Sequence, residues 1–155
     1  MFAKRATVLC LGLLAACATP MRLPSEFLVL GGKHDTSSFR AVTGDDARIW
    51  MRQFVEADGG DLAFWTQVLK RDFEERGYRM VGEGDCVDAA GTPGRWLEAA
   101  VEVDGERAGY LCAIWVADRG WRAGSEITTV EFTARTEVFD ARRAAVVGAL
   151  GTVSR

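Results

Sequence analysis

The chain reads as an α+β protein: an α/β/α sandwich in which a largely antiparallel sheet of about six to seven strands carries two long helices, one per face. Three observations predict it. Two segments repeat apolar residues at helical spacing while several others alternate. The links among the last four strand-like runs are of hairpin length, which makes them antiparallel neighbours. One run, residues 108–117, is apolar on both faces and needs cover from both sides.

Residues 27–30 form a short first strand and residues 38–43 a second, closed by Gly44, Asp45 and Asp46. Residues 47–54 then alternate, with Ile49 and Met51 on one side and Arg48, Trp50 and Arg52 on the other, completing a hairpin. Asp58-Gly59-Gly60-Asp61 breaks the strand and offers an N-cap. Leu62, Trp65, Leu69 and Phe73 then recur at helical spacing until Gly77, so the first helix covers about residues 62–76. Residues 78–85 return as a strand, Gly91-Thr92-Pro93-Gly94 turns the chain, and residues 95–103 set Leu97, Ala99, Val101 and Val103 on one face. Asp104-Gly105 is a hairpin signal. Beyond it, residues 108–117 show Tyr110, Cys112, Ile114 and Val116 on one face and Leu111, Ala113, Trp115 and Ala117 on the other. A turn over 120–124, a strand over 127–135 and a helix capped by Thr136 close the chain, with Phe139, Val146, Leu150 and Val153 as its buried stripe.

Ahead of the fold, Lys4 and Arg5 precede an apolar run over residues 6–14 and then small residues, the parts of a secretory signal. The run is too short for a transmembrane helix, which takes roughly 20 apolar residues. Leu14-Ala15-Ala16-Cys17 resembles a bacterial lipobox. The resemblance implies that residues 1–16 are a signal peptide that is removed, that the Cys17 thiol takes a diacylglyceryl group, and that its new amino group is acylated. Ala18, where retention in the inner membrane would call for Asp, implies the periplasmic face of a Gram-negative outer membrane. An ordinary signal peptide cleaved at Ala16-Cys17-Ala18 is the alternative. Two acyl chains already hold a protein stably on a membrane. Residues 17–25, with Pro20 and Pro24, are then the lipidated Cys and a short tether, and residues 26–155 a single domain.

Without residues 1–16 the chain keeps 17 basic against 22 acidic residues, a net charge of −5 with no basic block, which disfavours nucleic acid as a partner. Cys10 leaves with the leader. Cys86 and Cys112 remain in an oxidising compartment, where a disulfide between them is expected, with two separately buried thiols as the alternative. Two Cys and one His without a CxxC motif make no metal site, and no cofactor is expected.

The order of elements, the signature around Phe64-Trp65 and Gly77-Tyr78, and the Gly109-Tyr110 strand resemble the Mog1/PsbP-like family over residues 23–153. That resemblance implies the same sandwich and a binding or assembly role. The family has no shared catalytic residues, so none carries over.

The only histidine, His34, lies in a loop beside Asp35, where a solvated side chain is a simpler reading than the base that Ser-His-Asp or Cys-His chemistry requires. Glu98 and Glu102 lie on one face of a strand two pleats apart, with Glu131 on the next strand but one, a carboxylate set for a hydrolase or the polar side of a half-exposed strand. Glu83, Asp85 and Asp88 lack the ordered calcium-loop pattern. Lys70, Arg71 and Arg76 suit the C-terminal half of a helix. Arg48, Trp50 and Arg52 form the candidate partner contact, because Trp and Arg anchor interfaces, although packing under a helix explains Trp50 equally simply. The expected function is a non-enzymatic, membrane-anchored binding or assembly module with an envelope protein as partner. The alternatives are a carrier of a small apolar ligand, held between sheet and terminal helix, and a carboxylate hydrolase.

Overall fold

A computed structural model describes residues 19–30, 38–103, 105–119 and 124–155; Cys17, His34 and the leader lie outside them. The elements are β1 (Leu28–Leu30), β2 (Ser38–Val42), β3 (Arg48–Glu56), α1 (Leu62–Glu75), β4 (Arg79–Val87), β5 (Pro93–Val103), β6 (Glu106–Asp118), β7 (Ser125–Arg135) and α2 (Thr136–Ala149), ending in a 3-10 turn, Leu150–Thr152. All seven strands form one antiparallel sheet in the order β1-β2-β3-β7-β6-β5-β4.

The doubly apolar run, β6, is an inner strand between β5 and β7. On β6, Leu111, Ala113 and Trp115 are fully buried in the larger core, beneath α2, with Phe132 and Val130 of β7 and Ile49 and Met51 of β3. From α2 and the turn after it come Phe139, Val146, Leu150 and Val153. The opposite face of β6 contributes Cys112 to a smaller core with Leu97, Ala99 and Phe73 of α1. Each fully buried large side chain here contributes roughly 1.5–3 kcal/mol. The two helices thus cover opposite faces, as the sequence predicts.

Local chemistry fixes the ends. The Asp61 side chain accepts a hydrogen bond from the Phe64 backbone N–H at 2.8 Å and caps α1. Helix α2 departs from the expectation: Arg135 is its N-cap, with no side-chain cap, and Thr136 is already the first helical residue. The β4–β5 turn is built by Asp88, whose carboxylate accepts from the backbone of Ala90 (2.9 Å) and Thr92 (2.7 Å), and Pro93 opens β5.

The N-terminal stretch corrects a second expectation, since residues from Pro20 on are part of the body and not a tether. The Pro20 carbonyl accepts from the Ser154 N–H at 2.7 Å, and the Arg22 N–H donates to Thr152 Oγ1 at 2.9 Å. Met21 is 1% exposed, and Phe27 meets Phe132 edge-on with ring centroids 6.4 Å apart. This arm strengthens the cover that α2 gives.

Cys86 and Cys112 are both free, so the expected disulfide is not formed. Strand β5 lies between their strands, and the pleat points them to opposite faces, Cys86 toward the larger core and Cys112 into the smaller. No rotamer bridges a sheet. Burial, with Asp85 and Asp88 nearby, pushes the Cys86 thiol up to about 12, and burial drives Cys112 higher still.

Two predictions follow from this packing. A Cβ built on Gly109 lies 2.2 Å from the Phe139 ring, which stacks on Phe132 at 4.9 Å. Gly109→Ala is therefore expected to cost about 1–3 kcal/mol in urea unfolding, and Phe139→Leu in the same chain to recover part of it. The two thiols are expected to resist Ellman's reagent at pH 8 in the folded protein and to react fully in denaturant, with no reductant needed to release them.

Candidate functional site

Helix α1 crosses only part of its face of the sheet. It is held over β4, β5 and β6 by Phe73, which contacts Tyr78 and Tyr110 (centroids 5.6 and 5.4 Å), and by Lys70, paired with Glu83 of β4 at 2.8 Å. Among the described residues, no helix covers the same face of β1, β2, β3 and β7.

Register decides which side chains meet there. Arg40 of β2 lies directly opposite Trp50 of β3, and Trp50 opposite Glu131 of β7, which in turn faces Cys112 of β6. Cross-strand partners share a face. The Arg40 and Arg52 guanidinium carbons each sit 4.5 Å from the Trp50 ring centroid, so two cations share one indole. Such contacts are worth about 0.5–2 kcal/mol each, according to how far they are desolvated. Arg52 also pairs with Glu131, whose other carboxylate oxygen accepts from the Tyr110 hydroxyl at 2.7 Å. Burial, then Cys112 and Glu131, raise the Tyr110 phenol, which stays protonated and donates. Tyr110 packs at 5.5 Å on Tyr78, so the polar stack is joined to the small core under α1.

The stack forms one wall of a groove of about 620 Å³ on the open face, lined by Leu30, Arg40, Val42, Trp50, Tyr110 and Glu131 among others. Trp50 Nε1 and Arg52 Nε are buried and have no acceptor among the described residues. Arg40 has no carboxylate partner among them either, its contact being the indole. The site is a surplus of donors beside apolar wall.

Of the residues marked in the sequence, Trp50 and Arg52 belong to this stack. Trp50 lies under neither helix of the described residues, so packing beneath a helix does not account for it there. Arg48 is on the same face but is exposed and paired with Asp46 at 2.9 Å. Arg40, Glu131 and Tyr110 complete the group, and sequence reasoning did not join them to it. Alternation already sets Arg40 apart from Phe39 and Ala41, but only the hairpin register brings it opposite Trp50.

Other candidates are dispersed. Glu98 pairs with Arg143 of α2, whereas Glu131 faces the other way, so no carboxylate pair forms across β5, β6 and β7. Glu83 and Asp85 are neutralised by Lys70 and Arg95, and Asp88 by Arg155 at 2.7 Å. Among the described residues no cluster of His, Cys, Asp and Glu could hold a metal ion. The space between sheet and α2, where the carrier alternative places an apolar ligand, is filled by the Phe132–Phe139 stack, Val146 and Leu150.

No protein family matches the chain, and no curated protein does. The Mog1/PsbP-like resemblance therefore rests on the order of elements and the short signatures alone. Among solved structures, the crystal structure of LpqN, involved in cell envelope biogenesis of Mycobacterium tuberculosis, superposes with a TM-score of 0.61 at 12% identity, over 87% of this chain and 82% of that one. At such identity the likeness is one of fold.

Proposed function

We propose that the protein is a lipid-anchored envelope module that binds a partner without transforming it, through the helix-free half of its sheet. The observation that carries this reading is the Arg40–Trp50–Arg52 stack, a polarised aromatic surface over which no helix of the described residues lies. Trp and Arg are the residues that dominate interface energetics when a partner desolvates them. The donors around the indole suit a protein partner that presents an acidic side chain beside an apolar one, with Leu30 and Val42 receiving the latter. The lipobox-like Cys17 supports the anchor, and no helix among the described residues is long and apolar enough to cross a membrane. The envelope role of a protein with the same fold is in keeping with this reading.

The test is site-directed photo-crosslinking in the native host, with the reactive residue at Leu30, which is 49% exposed and lines the groove. A discrete adduct is expected. Trp50→Ala or Arg40→Glu should weaken it by roughly 10- to 100-fold, as loss of a hot spot of about 2 kcal/mol or more does, while circular dichroism stays unchanged. An adduct of undiminished yield in both variants would remove this face from the partner's footprint.

A further inference from the structure

The lipid anchor and the folded body are separated by almost no chain. Pro20 is fixed by its carbonyl to Ser154, and Met21 behind it is buried. From Cys17 to Pro20 there are three peptide steps, and three steps span at most about 11 Å. The headgroup layer on one side of a bilayer is about 5–8 Å thick, taking the hydrocarbon core as about 30 Å of a total of about 40–45 Å. A lipid on Cys17 therefore cannot hold the body clear of the leaflet.

What lies around Pro20 is one corner of the sandwich. The Ala89 N–H donates to the Val153 carbonyl at 2.9 Å, and Arg155 reaches Asp88 and Thr92 across the β4–β5 turn at 2.7 and 2.8 Å. The turn, the chain after α2 and the start of the arm are thus one rigid unit. Its outward residues are Ala89 and Ala90, Val87 at 52% exposure, and Arg22, whose side chain has no ion pair among the described residues. Small apolar residues with a free cation suit a surface of phosphate headgroups.

We infer that this corner, formed by Arg22, Val87 and the β4–β5 turn, is a membrane-docking surface that rests on the lipid leaflet and fixes the orientation of the domain. The inference rests on the lipid-anchor reading of Cys17. It has a directional consequence. In the sheet, Gly94 at the turn lies in register with Trp115 and Thr128, while Arg48 beside the groove lies in register with Thr133. Five residues of β7 separate those rows, about 17 Å at roughly 3.3–3.4 Å per residue. The groove opens at the end of the strands away from the membrane, and toward the opposite edge of the sheet from β4.

The test uses the full acylated protein in phosphatidylethanolamine/phosphatidylglycerol vesicles containing a lipid with a nitroxide on its headgroup. A fluorophore is attached through Ala90→Cys or, at the far end of the strands, through Glu106→Cys; the native thiols are shielded by burial. Strong quenching is expected at position 90 and little at 106. A 20-residue Gly/Ser insertion between Ala18 and Thr19, with a root-mean-square span of about 25 Å, should bring the two signals together, and Arg22→Glu should reduce quenching at 90. Equal quenching at both positions in the wild-type chain would overturn the docking surface. The intact mass of the same sample reads acylation directly: an unmodified Cys17 overturns the anchor and the docking together, whereas an acylated chain with equal quenching overturns the docking alone.

Discussion

Everything in the fold is arranged around the burial of β6. A strand that is apolar on both faces has no stable place at an edge or over water, and β6 sits with β5 on one side and β7 on the other and with a helix on each face. The closeness of that cover is visible at Gly109, where the Phe139 ring occupies the space a side chain would take. Burying β6 in this way asks for two layers of helix but does not ask that they be equal.

They are unequal. The α2 face is sealed by the helix, by the chain after it and by the N-terminal arm, all of which reach one continuous core. On the other face α1 covers β4 to β6 and stops, leaving β3 and β7 to manage without it. The sheet's answer is to lay arginines over its tryptophan and to tie them through Glu131 to Tyr110. Such a stack shields an indole from water while keeping cations at the surface. It is stable when the protein is alone and still offers charge and aromatic area to something that lands on it.

Much of this was legible from residue order. Alternation and helical spacing give all seven strands and both helices, because each pattern follows from which face must be dry. The double apolarity of residues 108–117 gives an inner strand covered on both faces outright. Four things were not legible. The register that sets Arg40 opposite Trp50 depends on the length of the β2–β3 turn, and one residue of slip would send it to the other face. The two cysteines fall in strands of similar character, and only the strand order reveals a sheet between them. Glu98 and Glu131 are parted for the same reason. The arm looked like a linker because two prolines and few apolar residues suggest one, yet Met21, Leu23 and Phe27 suffice to seat it.

That seating closes the fold on itself. With Pro20 clasped to Ser154 and Arg22 to Thr152, two hydrogen bonds join segments about 130 residues apart in sequence. Contacts of such separation close long loops, and their entropic cost is met most easily once the sheet and α2 are already assembled. The arm is thus a detachable layer: it can lift without breaking any ladder hydrogen bond of the sheet, and lifting it opens the larger core at Met21 and Phe27.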